Sequence, residues 1–565
     1  MRKNLLSTAA MLAVATSVAW NGPAAADDLL GFISELGLAH TPANDAMTAT
    51  PIKHLVVIFN ENRSFDHYFA TYPTATNPPG EPVFKAARNT PAVNNLAANP
   101  SLLHDNPNLN PANGAGATNP FRLDRTQANT ADQSHAYTAE QKAYDNGHLD
   151  LFPLDTGSGT KGGAGAFGTT GQVMGYFDGN TVTAFWNYAQ NFAMNDNAFT
   201  DTFGPSTPGA LEMYSGQTNG ATYPALAKGT NSPTGVADGV GGFTQNGDTD
   251  PFGDVCSSPT SEVQMTGKNI GDLLNAANLT WGSFVGGFNL QTVNANGTTG
   301  CARSTFGAVV GGNVPDYTPH HIWFQYFPST ANPTHARPSS TKAIGFTNVP
   351  GTKTADPANH GYDLNDFMTA VQAGNYPSVS LIKMAAFQDA HPGNSDPLDE
   401  QTGVVNLINF LQQQPDWKDT AVIITYDDSD GWYDHSFAQP TRSSFSSADA
   451  LNGPGVCGTG TQPDGVKGSP VNGRCGPGTR IPFMVISPFA RQNFVSHTLI
   501  TQASVTRFIE DNWLRGQRLG GGSFDATSGS IMDMFNFNQL VLNFDERKLV
   551  LDPTMGTVVS SAPRF

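Results

Sequence analysis

The chain has 565 residues, of which 38% are hydrophobic and only 13% charged, with 59 Gly and 39 Pro. Long apolar and aromatic segments recur between Gly- and Pro-rich stretches, which excludes a disordered chain, and the length admits one heavily decorated domain. The balance of 29 Lys+Arg against 47 Asp+Glu gives a formal charge of −18, and no run of Lys or Arg interrupts it, so nucleic acid is excluded as the main partner.

The N-terminus carries a charged start (Arg2, Lys3), a mostly small and apolar stretch from Leu5 to Val18, and the small residues Ala24-Ala25-Ala26. This pattern predicts a cleavable secretory leader over 1–26, followed by a single domain over 27–565. The apolar run is shorter than the roughly 20 residues a membrane span needs, so no stable membrane insertion is expected. A periplasmic or secreted protein is consistent with Cys256, Cys301, Cys457 and Cys475, an even number without a CxxC, which reads as two structural disulfides. Of the three possible pairings, Cys457–Cys475 with Cys256–Cys301 is the natural one, because Cys457 and Cys475 lie close together in a Gly-rich loop.

Ile52 to Phe59 is a short β-branched run and reads as a buried strand. It stops at Asn60-Glu61-Asn62-Arg63-Ser64, and Phe65 to Phe69 looks helical. Residues 73–131 are expected to form a long surface excursion. Thr138 and Gln141 resemble a capping box for a helix that Asn146-Gly147 would end. Val182, Phe185, Trp186, Ala189 and Phe192 recur at helical spacing. A second loop insertion is expected over about 217–260. Further strands are expected at Trp281–Phe288, Val379–Met384, Ala421–Tyr426 and Ile481–Ile486, with helices through Val404–Leu411 and Thr501–Leu514. Apolar strands alternating with helices predict an α/β/α sandwich around a mainly parallel sheet.

In such sheets ligands lie beyond the carboxyl ends of the strands. Two predicted strands end in acids there, Glu61-Asn62 after the first and Asp427-Asp428 after Ala421–Tyr426. Three carboxylates and an amide oxygen form a hard donor set that suits a divalent cation. Ser206, in Phe203-Gly204-Pro205-Ser206-Thr207-Pro208-Gly209, sits where a helix N-cap would, with Pro208 in the first turn. Helix N-termini favour phosphate and other anions. His135, His320, His321 and His391 fall in polar contexts away from any helical stripe and offer donors to a phosphoryl group.

ENRSFDHYF (61–69), FGPSTPG (203–209), HPGNSDPLDEQ (391–401) and YDDSDGWYDH (426–435) resemble bacterial acid phosphatases of the phosphoesterase family, which also contains phospholipases C and belongs to the alkaline-phosphatase superfamily. The resemblance runs in order from about Lys53 to Asn512. It implies an alkaline-phosphatase-like fold and one divalent metal ion held by Glu61, Asn62, Asp427 and Asp428. It also implies Ser206 as nucleophile and His135, His320, His321 and His391 as the phosphate-contacting residues, with Asp434 and His435 as a second tier. The expected activity is hydrolysis of small phosphate monoesters through a phosphoserine, with an optimum on the acid side, where histidines titrate. Phospholipase C action on phosphodiesters is the alternative. It ranks second because those enzymes carry GPTNPNR at the nucleophile, where this chain has Ser206 followed by TPGA, and because they bear further domains, where this chain ends about 50 residues beyond the closing helix. A non-catalytic secreted binding protein would be expected to have lost the nucleophile or a ligand, and every such position is filled.

Overall fold

The computed structural model describes residues 42–224, 234–260, 262–538 and 547–561; the leader expected over 1–26 lies outside them. Its central sheet has eight strands: β1 (His54–Asn60), β2 (Ala193–Asn195), β3 (Trp281–Val285), β4 (Gly361–Asp363), β5 (Val379–Lys383), β6 (Thr420–Tyr426), β7 (Phe483–Ile486) and β8 (Phe494–Ser496). The order is β4-β3-β5-β1-β6-β7-β2-β8. Every neighbouring pair is parallel except the two that β7 makes.

All residues of β1 and β6 are buried, which is why their sequences are continuous apolar runs without alternation. Successive side chains on a strand point to opposite faces, and both faces are covered. On one, Asn60 Nδ2 donates to Glu400 Oε1 at 2.8 Å; on the other, the Phe59 ring meets Trp323 edge-on at 5.8 Å. The α/β sandwich with a mainly parallel sheet is therefore the observed architecture.

The helices that frame the site are α1 (Phe65–Phe69), α2 (Tyr137–Tyr144), α3 (Thr183–Asn191), α4 (Ser206–Ser215), α5 (Pro397–Gln412) and α6 (Ala503–Trp513). Helix α1 starts at a true cap, Ser64, whose Oγ accepts the His67 N–H at 3.2 Å. Helices α3 and α5 are joined where Gln401 Oε1 accepts the Ala184 N–H at 2.9 Å, and α6 reaches α4 through a hydrogen bond from the Thr506 hydroxyl to the Met213 carbonyl. Both disulfides form with the expected partners, Cys256–Cys301 and Cys457–Cys475.

Four expectations are corrected. The capping box at Thr138 does not form: Ala136 precedes α2, the Thr138 hydroxyl donates to Ala448 O at 2.7 Å, and Gln141 Oε1 accepts from Ala450 N at 2.7 Å. Those side chains bind a distant loop instead of their own helix end. The 73–131 segment is more than surface, because buried asparagines hold it down; Asn95 Nδ2 donates to Phe69 O and Tyr72 O at 2.8 and 2.7 Å. The segment expected as a loop at 217–260 contributes to a separate sheet of five short strands, Asn219–Thr222, Val236–Ala237, Phe243–Thr244, Asp250–Pro251 and Glu262–Met265. Lastly, Ser206 is the first helical residue of α4 rather than its cap, a position held by Pro205.

Gly209 lets α4 approach the end of β6. A Cβ on Gly209 would stand 2.0 Å from the carbonyl oxygen of Asp427, far inside contact distance. Gly209→Ala is therefore expected to push α4 off the strand end and to cost about 2 kcal/mol of stability, in the range of overpacked cores. Denaturant unfolding checks this, and an unchanged midpoint would contradict the packing described.

Candidate active site

The strands position the acidic groups before any side-chain contact is considered. Asn60 pairs in register with Tyr426, so Glu61-Asn62 and Asp427-Asp428 emerge level with one another at the carboxyl edge of the sheet. Helix α4 brings its first residue to the same point. Ser206 Oγ lies 2.8 Å from Glu61 Oε2, 3.3 Å from Asn62 Oδ1 and 3.2 Å from Asp428 Oδ2. All of these residues, with Asp427, are no more than 1% exposed.

Local backbone conformation aims the oxygens. Asn62 sits at φ 62°, in the left-handed region that asparagine tolerates. Its backbone N–H donates to Asp427 Oδ1 at 3.0 Å and its Nδ2 donates to Asp430 Oδ1 at 3.1 Å, which turns Oδ1 towards Ser206. Asp430, also left-handed at φ 54°, donates its N–H to Asp428 Oδ1 at 2.6 Å. Asp427 Oδ1 takes a second donor, the Asp428 N–H, at 2.8 Å, while its Oδ2 is buried without a hydrogen-bond partner.

Three buried carboxylates in contact are electrostatically unfavourable without a counter-charge. Burial, then Glu61 and Asp428, push Asp427 well above the usual carboxylate range; burial likewise pushes up Asp428, against the pull of His135. Glu61 behaves oppositely. Burial works against its charge, but His321 and Lys383 outweigh burial and hold it well below the usual range. The oxygens of Glu61, Asn62 and Asp428 gathered within 3.3 Å of Ser206 Oγ, with the orphaned Oδ2 of the adjacent Asp427, are a hard donor set that fits a divalent cation.

The four histidines form an arc around this point. Ring centroids are 4.5 Å apart for His320–His321, 5.7 Å for His321–His391 and 6.3 Å for His391–His135. His321 Nδ1 lies 3.0 Å from Glu61 Oε1 and 3.5 Å from Asp389 Oδ2. His391 Nδ1 is 2.8 Å from Pro392 O, which leaves Nε2 for the site; one ligand atom each from Glu61, His321 and His391 lies within 4.8 Å of the others. His135 Nδ1 is 3.1 Å from Asp430 Oδ1, and His320 Nδ1 is 3.5 Å from Asp250 Oδ1. The arc divides electrostatically. Burial opposes charge on all four, but Asp428 and Asp430 hold His135 well above the imidazole range, and Asp250 and Asp248 raise His320. Burial prevails at His321 and His391 and lowers both.

Other residues separate from the site. Thr207 Oγ1 faces away, 3.3 Å from the Tyr326 hydroxyl. Asp434 and His435 belong to a buried network with Asp66 and Arg480, in which Arg480 Nε donates to Asp434 Oδ1 at 2.9 Å and His435 Nδ1 meets Asp66 Oδ2 at 2.6 Å. That network pins α1 to the loop after β6. Lys383 is a site residue that motif reading missed: its ammonium pairs with Glu61 Oε1 and stands 3.8 Å from Asp427 Oδ2. The available signal was a lysine ending a wholly buried strand. Asp389, Asp430, Asp248 and Asp250, which hold the histidines, were also missed.

A sheet edge that presents a hydroxyl among carboxylates, ringed by histidines, belongs with hydrolysis of phosphate esters, and sequence comparison agrees. The chain belongs to the Phosphoesterase family, whose model matches residues 52–514. It is 25% identical over 454 residues to phospholipase C A of Mycobacterium tuberculosis, covering 78% of this chain and 69% of that one. It is 24% identical over 494 residues to a non-hemolytic phospholipase C of Pseudomonas aeruginosa, covering 86% of this chain and 57% of that one. Among solved structures, murine ectonucleotide pyrophosphatase/phosphodiesterase 5 aligns with a TM-score of 0.28 and 11% identity, covering 63% of this chain and 95% of that one.

Binding of a divalent ion to these carboxylates can be read from stability, without any assay of turnover. A bound ion is expected to raise unfolding free energy by about 2.7 kcal/mol at a hundredfold excess over its Kd. Asp427→Asn is expected to gain stability in chelator, by removing an ionisable group that burial, Glu61 and Asp428 disfavour, and to lose the response to metal. Thermal unfolding with and without divalent ions measures both. A wild-type protein insensitive to every divalent ion tested would contradict the donor set.

Proposed function

We propose that the protein is a metal-dependent phospholipase C-type phosphodiesterase in which Ser206 is the nucleophile. The observation that carries this reading is the placement of Ser206 Oγ within 3.3 Å of Glu61, Asn62 and Asp428, at the start of a helix. Glu61, Asn62, Asp427 and Asp428 would hold one divalent ion, which when bound neutralises a phosphate oxygen and lowers the pKa of the serine hydroxyl. Ser206 Oγ attacks phosphorus in line with the leaving alcohol and forms a seryl phosphate ester that keeps the diester's other substituent. His135, kept cationic by Asp428 and Asp430, and His320, beside Asp250, bind the phosphoryl oxygens. His321 or His391, held neutral by burial, takes the Ser206 proton and passes it to the leaving oxygen; it then takes a proton from the water that cleaves the covalent intermediate and returns it to Ser206.

The substrate assignment rests on the curated relatives, which are named phospholipases C and so reverse the order in which the motif resemblance ranks monoester and diester. A monoesterase is the second reading, favoured by Ser206-Thr207-Pro208-Gly209 in place of GPTNPNR. Both share the same residues and steps. Export is supported by the two disulfides, which persist in oxidising compartments. No helix among the described residues is long and apolar enough to cross a membrane.

A panel of phosphatidylcholine, aryl diesters and aryl, nucleoside and sugar monoesters, with and without divalent ions, separates the readings. The diesters are expected to show the higher kcat/KM, and activity confined to monoesters would install the phosphatase reading instead. Ser206→Ala is expected to lose roughly 10⁴-fold or more in kcat while staying folded, whereas Thr207→Ala keeps most activity because its hydroxyl faces Tyr326. An active Ser206→Ala variant would remove the mechanism.

A further inference from the structure

The small five-stranded sheet carries an acidic side chain into the mouth of the site. Asp248 lies between its strands Phe243–Thr244 and Asp250–Pro251. Its Oδ1 accepts the backbone N–H of Thr207 at 3.0 Å, and its Oδ2 stands 4.0 Å from His135 Nε2. The Thr207 amide follows the nucleophile and belongs to the first turn of α4, where a phosphoryl group on Ser206 would look for backbone donors. That donor is already engaged by a fixed carboxylate. The side chain is 32% exposed, so it is neither sealed into the core nor free in solvent. Asp132 and Asp250 stand on the same rim, 3.8 Å from His135 Nδ1 and 3.5 Å from His320 Nδ1.

We propose that Asp248 sets the charge selectivity of the site, disfavouring dianionic monoester phosphate relative to monoanionic diester phosphate. Coulomb repulsion scales with the product of the charges. One carboxylate at the edge of the phosphoryl position therefore penalises a dianion by about the square of the factor it imposes on a monoanion. The hydrogen bond to Thr207 does not require charge, since an amide oxygen accepts it equally well, so Asp248→Asn removes the charge and keeps the contact. This inference rests on the reading of Ser206 as nucleophile and explains how a site able to hold either ester would favour the diester.

The test compares p-nitrophenyl phosphate with bis(p-nitrophenyl) phosphate at about pH 7.5, where monoesters with a second pKa near 6 are dianions. Asp248→Asn is expected to raise kcat/KM about tenfold for the monoester and about threefold for the diester, mainly through KM, with Asp248→Glu close to wild type. Raised salt should narrow the wild-type preference by screening. Equal changes for both esters, or a shift towards the diester, would overturn the proposal. Asp248→Ser, also neutral, repeats the measurement should the asparagine variant fold poorly. An arm independent of turnover measures inorganic phosphate binding by calorimetry on Ser206→Ala with and without Asp248→Asn. Binding about tenfold tighter in the double variant supports the charge effect, and an unchanged Kd overturns it. A wild-type enzyme that cleaves neither ester would count against the proposed function, and the phosphate arm would still decide the role of Asp248.

Discussion

The whole site depends on one electrostatic constraint, the burial of three carboxylates at the ends of two adjacent parallel strands. At 4 Å, two like charges in a protein interior of effective dielectric about 20 repel by about 4 kcal/mol. Glu61, Asp427 and Asp428 can share this space only if opposing charge and directed donors are built around them. The structure supplies part of that charge through Lys383 at Glu61 and through His135 near Asp428. Backbone N–H groups satisfy Asp427 Oδ1 and Asp428 Oδ1. What remains is Asp427 Oδ2, without a hydrogen bond and 3.8 Å from the Lys383 ammonium.

The surrounding fold makes sense as support for that arrangement. Parallel pairing sets the ends of β1 and β6 level, left-handed Asn62 and Asp430 turn their side chains inward, and Gly209 allows a helix to begin against the end of a strand. Most of the ENRSFDHYF segment serves this scaffold. Only Glu61 and Asn62 reach Ser206. Ser64 caps α1, Asp66 joins the Arg480 network, and Tyr68 donates to Glu400 Oε2 at 2.6 Å beneath the sheet.

The strand ends were legible in the sequence because, in an α/β protein, an unbroken apolar run that stops at paired acids marks where a buried strand reaches the edge of its sheet. Helix α3 was legible from its spacing, and the disulfides from the closeness of two cysteines. The five-stranded sheet was not, because its strands are only two to four residues long, too short for a period-two pattern to stand out from the surrounding Gly-, Thr-, Asn- and Pro-rich sequence. Ser206 was placed correctly along the chain but one position early in the helix; a capping side chain binds its own first turn, whereas this one points away from it to the carboxylates. Lys383 and Asp248 escaped because a single charged residue at a strand end or in a polar loop is ordinary until its neighbours in space are known. Motifs do not decide between the two esters, since Ser206-Thr207-Pro208-Gly209 and the curated relatives point in different directions.

The central claim is that the Ser206 oxygen becomes bonded to phosphorus during turnover. Rapid acid quenching of the metal-loaded enzyme with a fast aryl phosphate ester, followed by peptide mapping in a mass spectrometer, tests this most directly. The expected result is a phosphoryl adduct on the peptide containing Phe203 to Gly209, localised to Ser206 and absent when substrate is omitted. Steady turnover with no adduct at any quench time, or an adduct on Thr207 or a histidine, would contradict it.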